Sequence, residues 1–182
     1  MIYQTIGEIY EGNARIRAKL KETVENLTDE QLNFRVDENW WTIREVVEHI
    51  SIVEGGVAKI CGGLLQKSAE ENVANDGSAN ISMEFLQKAG AAANRRETKL
   101  QAPDRVKPSG TLTIQESFAK MKENGEIFNQ IRAGLETVST QNAKFPHPYF
   151  GDMTAVEWLV LTGGHETRHT AQIERLLGKI RQ

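Results

Sequence analysis

His165 and His169 stand four residues apart within residues 153–179, MTAVEWLVLTGGHETRHTAQIERLLGK. Residues i and i+4 of a helix lie one above the other, so one ring nitrogen from each can reach a shared metal ion. Trp158, Thr162, His165, His169, Gln172, Leu176 and Ile180 fall on a single stripe of three- and four-residue steps, the seam a helix buries. Both imidazoles therefore face inward. Two imidazoles are half a site, and a protein metal site normally needs a third protein ligand. The chain has 4 histidines, which leaves His49 and His147 as candidates.

The same five residues spell H-E-x-x-H, in which metalloproteases use the glutamate as a general base. Here the extended form of that motif fails at Gln172 and Arg175, and Glu166 lies about 100° around the helix from His165. A protease is disfavoured. Cys61, the single cysteine, excludes an intramolecular disulfide and a multi-cysteine zinc ribbon. It follows His49 by about 18 Å of continuous helix, too far to share that histidine's metal, and reads as a buried inert thiol.

The elements that must position these groups are helices. Thr5 and Glu8 form a capping box opening a first helix, with the seam Ile2, Ile6, Ile9, Asn13, Ile16, Leu20 and Val24. Asn13 breaks that apolar stripe, either to set register or to line a polar pocket. A short polar helix follows at 28–33. Thr42 and Glu45 open the next long helix, with the seam Ile43, Val46, Ile50, Val53, Val57 and Ile60, and His49 at the edge of that seam. Gly55-Gly56 and Gly62-Gly63 weaken this helix and leave its end undefined; Gly163-Gly164 suggests close packing beside a pocket or a local π-bulge. Residues 67–81 are expected as loop, 82–100 as a weaker inserted helix and 103–110 as loop again. Thr113 and Glu116 open another bundle helix carrying Ile114, Phe118, Met121, Phe128, Ile131 and Leu135. Residues 144–152, with His147 between two prolines, are expected as a loop that makes His147 a rim residue. Thr154 and Glu157 then cap the final helix.

Four long amphipathic helices and one inserted helix predict an all-α bundle forming a single domain over 1–182. Inward side chains on facing helices are how bundles build metal sites, and here they are His49, His165 and His169. Burying three imidazoles without a metal would demand several dedicated hydrogen-bond partners. The composition, 39% hydrophobic and 26% charged with net charge −3 and a pI near 5.9, gives no basic footprint for nucleic acid or an anionic membrane surface. There is no transmembrane-length apolar run, and no cationic segment leading into an apolar one at the start. A cytoplasmic location is expected.

Trp41-Thr42-Ile43-Arg44-Glu45-Val46-Val47-Glu48-His49-Ile50, Phe150-Gly151-Asp152-Met153-Thr154-Ala155-Val156-Glu157-Trp158 and His165-x-x-x-His169-x-x-Gln172-Ile173 together resemble the DinB/YfiT-like superfamily of four-helix-bundle metal proteins. The likeness spans most of the chain, and residues 67–112 contribute least. It implies a divalent-metal site with ligands at His49, His165 and His169, thiol-dependent S-transferase or isomerase chemistry in characterised relatives, and a homodimer.

Three neutral imidazoles leave coordination positions for water or substrate. Zinc or nickel is expected, with manganese or iron also compatible with imidazole. The expected activity is a thiol-dependent S-transfer on a small-molecule substrate, with a low-molecular-weight thiol activated at the metal. The alternatives are a metal-dependent hydrolase and a binding protein without turnover. Glu45 reads first as an ordinary exposed helix cap and otherwise as a partner for the second nitrogen of His49, and Gln172 and Asn13 are candidates to orient a ligand. Trp41 and Trp158 read as core or pocket-wall residues, and no residue is singled out as catalytic.

Overall fold

The computed structural model describes residues 3–94 and 102–180. Its helices are α1 (Ile6–Val24), α2 (Asp29–Asn33), α3 (Ile43–Glu71), α4 (Met83–Asn94), α5 (Ile114–Thr137) and α6 (Ala155–Ile180), with one 3-10 turn, Asp104–Val106. The four long helices form the bundle: α3 packs against both α5 and α6, and α1 lies chiefly on α6. Capping boxes at Thr5/Glu8, Thr28/Gln31, Thr42/Glu45 and Thr113/Glu116 start four of the helices. Each cap is worth about 1 kcal/mol. Ahead of α6, Thr154 and Glu157 exchange the same pair of bonds. Buried Glu157 also accepts hydrogen bonds from the backbone N–H and hydroxyl of Ser82, so the start of α4 is tied to the start of α6.

Two expected boundaries shift. α3 runs without a break through all four of its glycines to Glu71, and the loop expected from residue 67 begins only at Asn72, which closes the helix at φ 51°. Leu64 and Ser68 are buried beyond the glycines, so packing of the last turns outweighs the propensity cost of about 1 kcal/mol per glycine. Residues 144–152 are not plain loop either: Phe145–His147 (β1) and Gly151–Met153 (β2) make a short antiparallel hairpin in the register Phe145↔Met153. The inserted helix is present, and Phe85 carries it into the core beside Phe150. Its expected extension over residues 95–100 lies outside the described residues.

The core is divided in two. One apolar cluster gathers Ile6, Ile9, Val57, Cys61, Leu64, Phe128, Leu135, Trp158 and Leu159; the other gathers Leu20, Val24, Ile43, Val46, Ile50, Met121, Ile173 and Leu176. Along α1, α3 and α6 the stretches between the clusters carry polar side chains: Asn13 and Arg17; Glu54; His165, Glu166 and His169. The bundle thus carries a polar belt across its middle. Cys61, fully buried in the first cluster, donates its thiol to the carbonyl of Ala155 at 3.4 Å, and burial pushes its pKa up.

Candidate metal centre

The belt brings His49 from α3 together with His165 and His169 from α6. Nε2 of His165 lies 3.2 Å from Nε2 of His49 and 3.2 Å from Nε2 of His169, and one ligand atom from each of the three falls within 4.8 Å of the others. The other nitrogen of two rings is already committed. His49 Nδ1–H donates to the carbonyl of Val106 at 2.7 Å, and His169 Nδ1 pairs with Gln172 Oε1 at 2.8 Å. Both bonds fix the proton on Nδ1 and leave the Nε2 lone pair turned to the cluster. This is the outer-shell arrangement that orients metal-binding imidazoles.

The donor set fits a metal ion. Imidazole nitrogens at 2.0–2.1 Å from a tetrahedral ion sit roughly 3.3 Å apart, close to the two separations of 3.2 Å that His165 makes here. Ligation needs neutral rings, and the site keeps them neutral. Burial drives His165 well below the ordinary imidazole range, and the charges of His169 and His49 would push it further. Burial also takes His169 down to about 3, with the Gln172 hydrogen bond opposing, and lowers His49 against the Val106 bond.

Trp41 forms the wall beside His49, with ring centroids 4.7 Å apart. Trp158 instead supports the hairpin: its Nε1–H donates to the Phe145 carbonyl, and its ring lies 5.2 Å from that of His147. His147 stays out of the cluster. Its Nδ1 accepts from the backbone N–H groups of Tyr149 and Phe150, at 3.1 and 3.3 Å, and burial with the nearby Arg105 charge lowers its pKa to about 4.

The structure decides between alternatives at three positions. Glu45 does not reach His49; it caps α3 and pairs with Arg35 at 2.7 Å, while Val106 takes the histidine's second nitrogen. Asn13 donates to the Leu159 carbonyl of α6 and so sets the register of α1 against that helix. Gly163 is where the two helices meet, because a Cβ there would collide with Asn13 and crowd Ile16; α6 remains regular, with no π-bulge.

Glu166 faces away from the histidines. Arg17 grips it with two bonds, Nε to Oε1 at 2.7 Å and Nη2 to Oε2 at 2.8 Å, and Arg17 Nη2 also donates to Glu54 at 2.7 Å. Asn124 bonds the far oxygen of Glu54 at 3.3 Å. Burial pushes Glu54 above the usual carboxylate range despite the Arg17 charge. Arg17, Glu54 and Glu48 were not foreseen from the sequence. The available signal was the pair of acids, Glu48 and Glu54, inside the apolar run VVEHISIVEGG.

Comparison with known proteins places these residues in a family context. YuaE from Bacillus subtilis (strain 168), an uncharacterized protein, is 28% identical over 160 residues, covering 86% of this chain and 90% of its own. TT2238, a four-helix bundle protein, superposes with a TM-score of 0.57 at 19% identity over 94% of this chain and 99% of that one. YfiT from Bacillus subtilis, described as "a probable metal-dependent hydrolase with an unusual four-helix bundle topology", superposes with a TM-score of 0.57 at 20% identity, over 96% of this chain and 87% of that one. These structures share the fold. The profile of the DinB superfamily matches residues 14–173, nearly the whole bundle, and the chain belongs to that superfamily.

Proposed function

We propose that this protein is a divalent-metal-dependent enzyme whose ligands are His49, His165 and His169, and that it catalyses a thiol-dependent S-transfer. The observation that carries the reading is the convergence of three neutral imidazoles with two of their outer nitrogens already tied down. A bound zinc or nickel ion supplies a Lewis-acidic centre that lowers the pKa of a coordinated thiol or water. The chain's own residues do the rest. Val106 and Gln172 hold the ligand tautomers, Trp41 shields His49 from solvent, and His147 stands at the rim.

Glu166 favours thiol transfer over hydrolysis. A hydrolase of the H-E-x-x-H kind needs its glutamate as a base beside the attacking water, and here that carboxylate is held by Arg17. A thiol needs less help, since lowering its pKa already yields a strong nucleophile at neutral pH. Metal-dependent hydrolysis remains the second reading, supported by the fold shared with YfiT. The substrate is a small molecule, and the assembly is expected to be a homodimer.

The test uses zinc- or nickel-loaded protein, a panel of low-molecular-weight thiols and a chromogenic aryl chloride. Transfer forms the C–S bond, expels chloride and releases the thiol proton to solvent. Thiol-dependent chloride release, lost in His169→Ala, supports the reading. Turnover confined to an ester panel supports the hydrolase, and metal binding without turnover of either panel supports a binding protein.

A further inference from the structure

Adjacent residues of α3 hold the same outside segment. His49 Nδ1–H donates to the Val106 carbonyl, and Glu48, 2% exposed, accepts from the Ser109 backbone N–H at 2.8 Å, the Ser109 hydroxyl at 2.7 Å and the Gly110 N–H at 2.9 Å. Each carboxylate oxygen thus receives a hydrogen bond from residues 109–110. A buried carboxylate is costly unless its acceptors are filled. Gly110 takes the left-handed conformation, φ 75°, and an added Cβ would press on Glu45 Oε1 at 3.3 Å. Ser109 Oγ also lies 2.6 Å from Thr111 Oγ1, which braces the turn from its outer side.

Residues 103–111 therefore form a strap fixed to α3 at two neighbouring points. The first sets the tautomer and ring plane of a metal-ligand histidine, and the second bonds Ser109 and Gly110 rather than the imidazoles. Without the second, the Val106 carbonyl would sit on a 3-10 turn closed by its own short-range bonds, Val106 N–H to Pro103 and Lys107 N–H to Asp104, with the imidazole it orients as its described hydrogen bond to α3.

We infer that Glu48 is a positioning residue of the metal centre, clamping Ser109 and Gly110 so that the Val106 carbonyl holds His49 Nε2 towards His165 and His169. This inference rests on the metal reading above. Outer-shell partners of metal-bound histidines are worth 10- to 100-fold in affinity, and Glu48, one step further out, is worth roughly tenfold.

The test measures zinc affinity by competition with a chromophoric chelator for the wild type, Glu48→Gln, Ser109→Ala and Leu135→Ala. Glu48→Gln loses one of the two acceptor oxygens and binds zinc roughly tenfold more weakly. Ser109→Ala keeps the buried charge, removes one strap donor and binds about threefold more weakly, which separates geometry from electrostatics. Leu135→Ala opens a cavity in the other core cluster; it melts lower with zinc affinity unchanged. In the wild type, zinc also slows hydrogen exchange at the Ser109 and Gly110 amides, because the coupling is reciprocal. Wild-type affinity in Ser109→Ala with exchange insensitive to zinc overturns the inference, as does an equal loss in Leu135→Ala. If Glu48→Gln does not fold, Ser109→Ala and the exchange measurement decide. A wild-type chain that binds no zinc removes the metal reading as well, whereas a wild type that binds while Glu48→Gln matches it removes this inference alone.

Discussion

Replacing Arg17 by methionine isolates the electrostatics of the polar belt. Arg17 bonds both Glu54 and Glu166, whose side chains are 8% and 3% exposed, and its own side chain is 25% exposed. Methionine keeps much of the stem volume and takes the guanidinium away from two buried carboxylates, leaving Glu54 with the neutral Asn124 amide. Stranding the charged remainder of a buried pair costs about 3–5 kcal/mol. For a chain of 182 residues the melting temperature should fall by roughly 10 °C. The pH dependence is the sharper readout. Glu54 already sits above the usual carboxylate range because burial outweighs its attraction to Arg17, and losing the guanidinium raises it further. A carboxyl whose folded pKa exceeds its unfolded value of about 4.3 destabilises the fold while ionised, and that penalty fades as pH falls through the folded pKa. The deficit of Arg17→Met relative to wild type, read by calorimetry, should therefore shrink between pH 8 and pH 5. Adding Glu54→Gln and Glu166→Gln to Arg17→Met should restore most of the loss at pH 8. A deficit that is absent at pH 8, or that stays constant down to pH 5, would show that the belt holds no unbalanced charge of this kind.

Elemental analysis should find near-stoichiometric metal in the wild type and in His147→Ala, and little in His165→Ala; equal loss in both variants would move His147 from the rim into the centre. Metal-free protein should lose stability as pH falls below about 6.5, because unfolded histidines take up protons there. In the fold His147 and His169 resist protonation until about 4 and 3, so the loss should continue towards those values in acid-unfolding curves. Gly163→Ala should destabilise by about 1–3 kcal/mol through its collision with Asn13 and Ile16, whereas Gly56→Ala, exposed with open space around it, should stabilise by about 0.5–1 kcal/mol. Urea denaturation of the two variants checks the opposite signs.

Helix starts and seams were legible because both signals are local. A threonine three residues before a glutamate, followed by apolar steps of three and four, needs no tertiary information. The histidine cluster was legible for a related reason: His165 and His169 share a helix face by spacing, and His49 borders a seam. What escaped depends on chain segments far apart. The partner of His49 is the carbonyl of Val106, a group every residue possesses, so no side chain announces it. Nothing local marks Arg17 in the sequence, and its partial burial follows from Glu54 and Glu166 meeting it from two other helices. The glycines of α3 misled in the opposite sense, since propensity counts their cost while omitting the packing of Leu64 and Ser68. The hairpin at 145–153 was hidden by its brevity and by Pro146, which cannot donate a ladder bond.

Under the proposed thiol chemistry, the setting of Cys61 has a consequence. A thiolate-bearing cysteine near such a reaction would exchange with oxidised thiol and trap the enzyme as a mixed disulfide. Here the only sulfhydryl is sealed among Val57, Leu64 and Trp158, and its proton is held towards a main-chain oxygen. The folded protein should therefore pass through an oxidising burst with its own sulfur unmodified, and take up an alkylating reagent at that position only as fast as it unfolds.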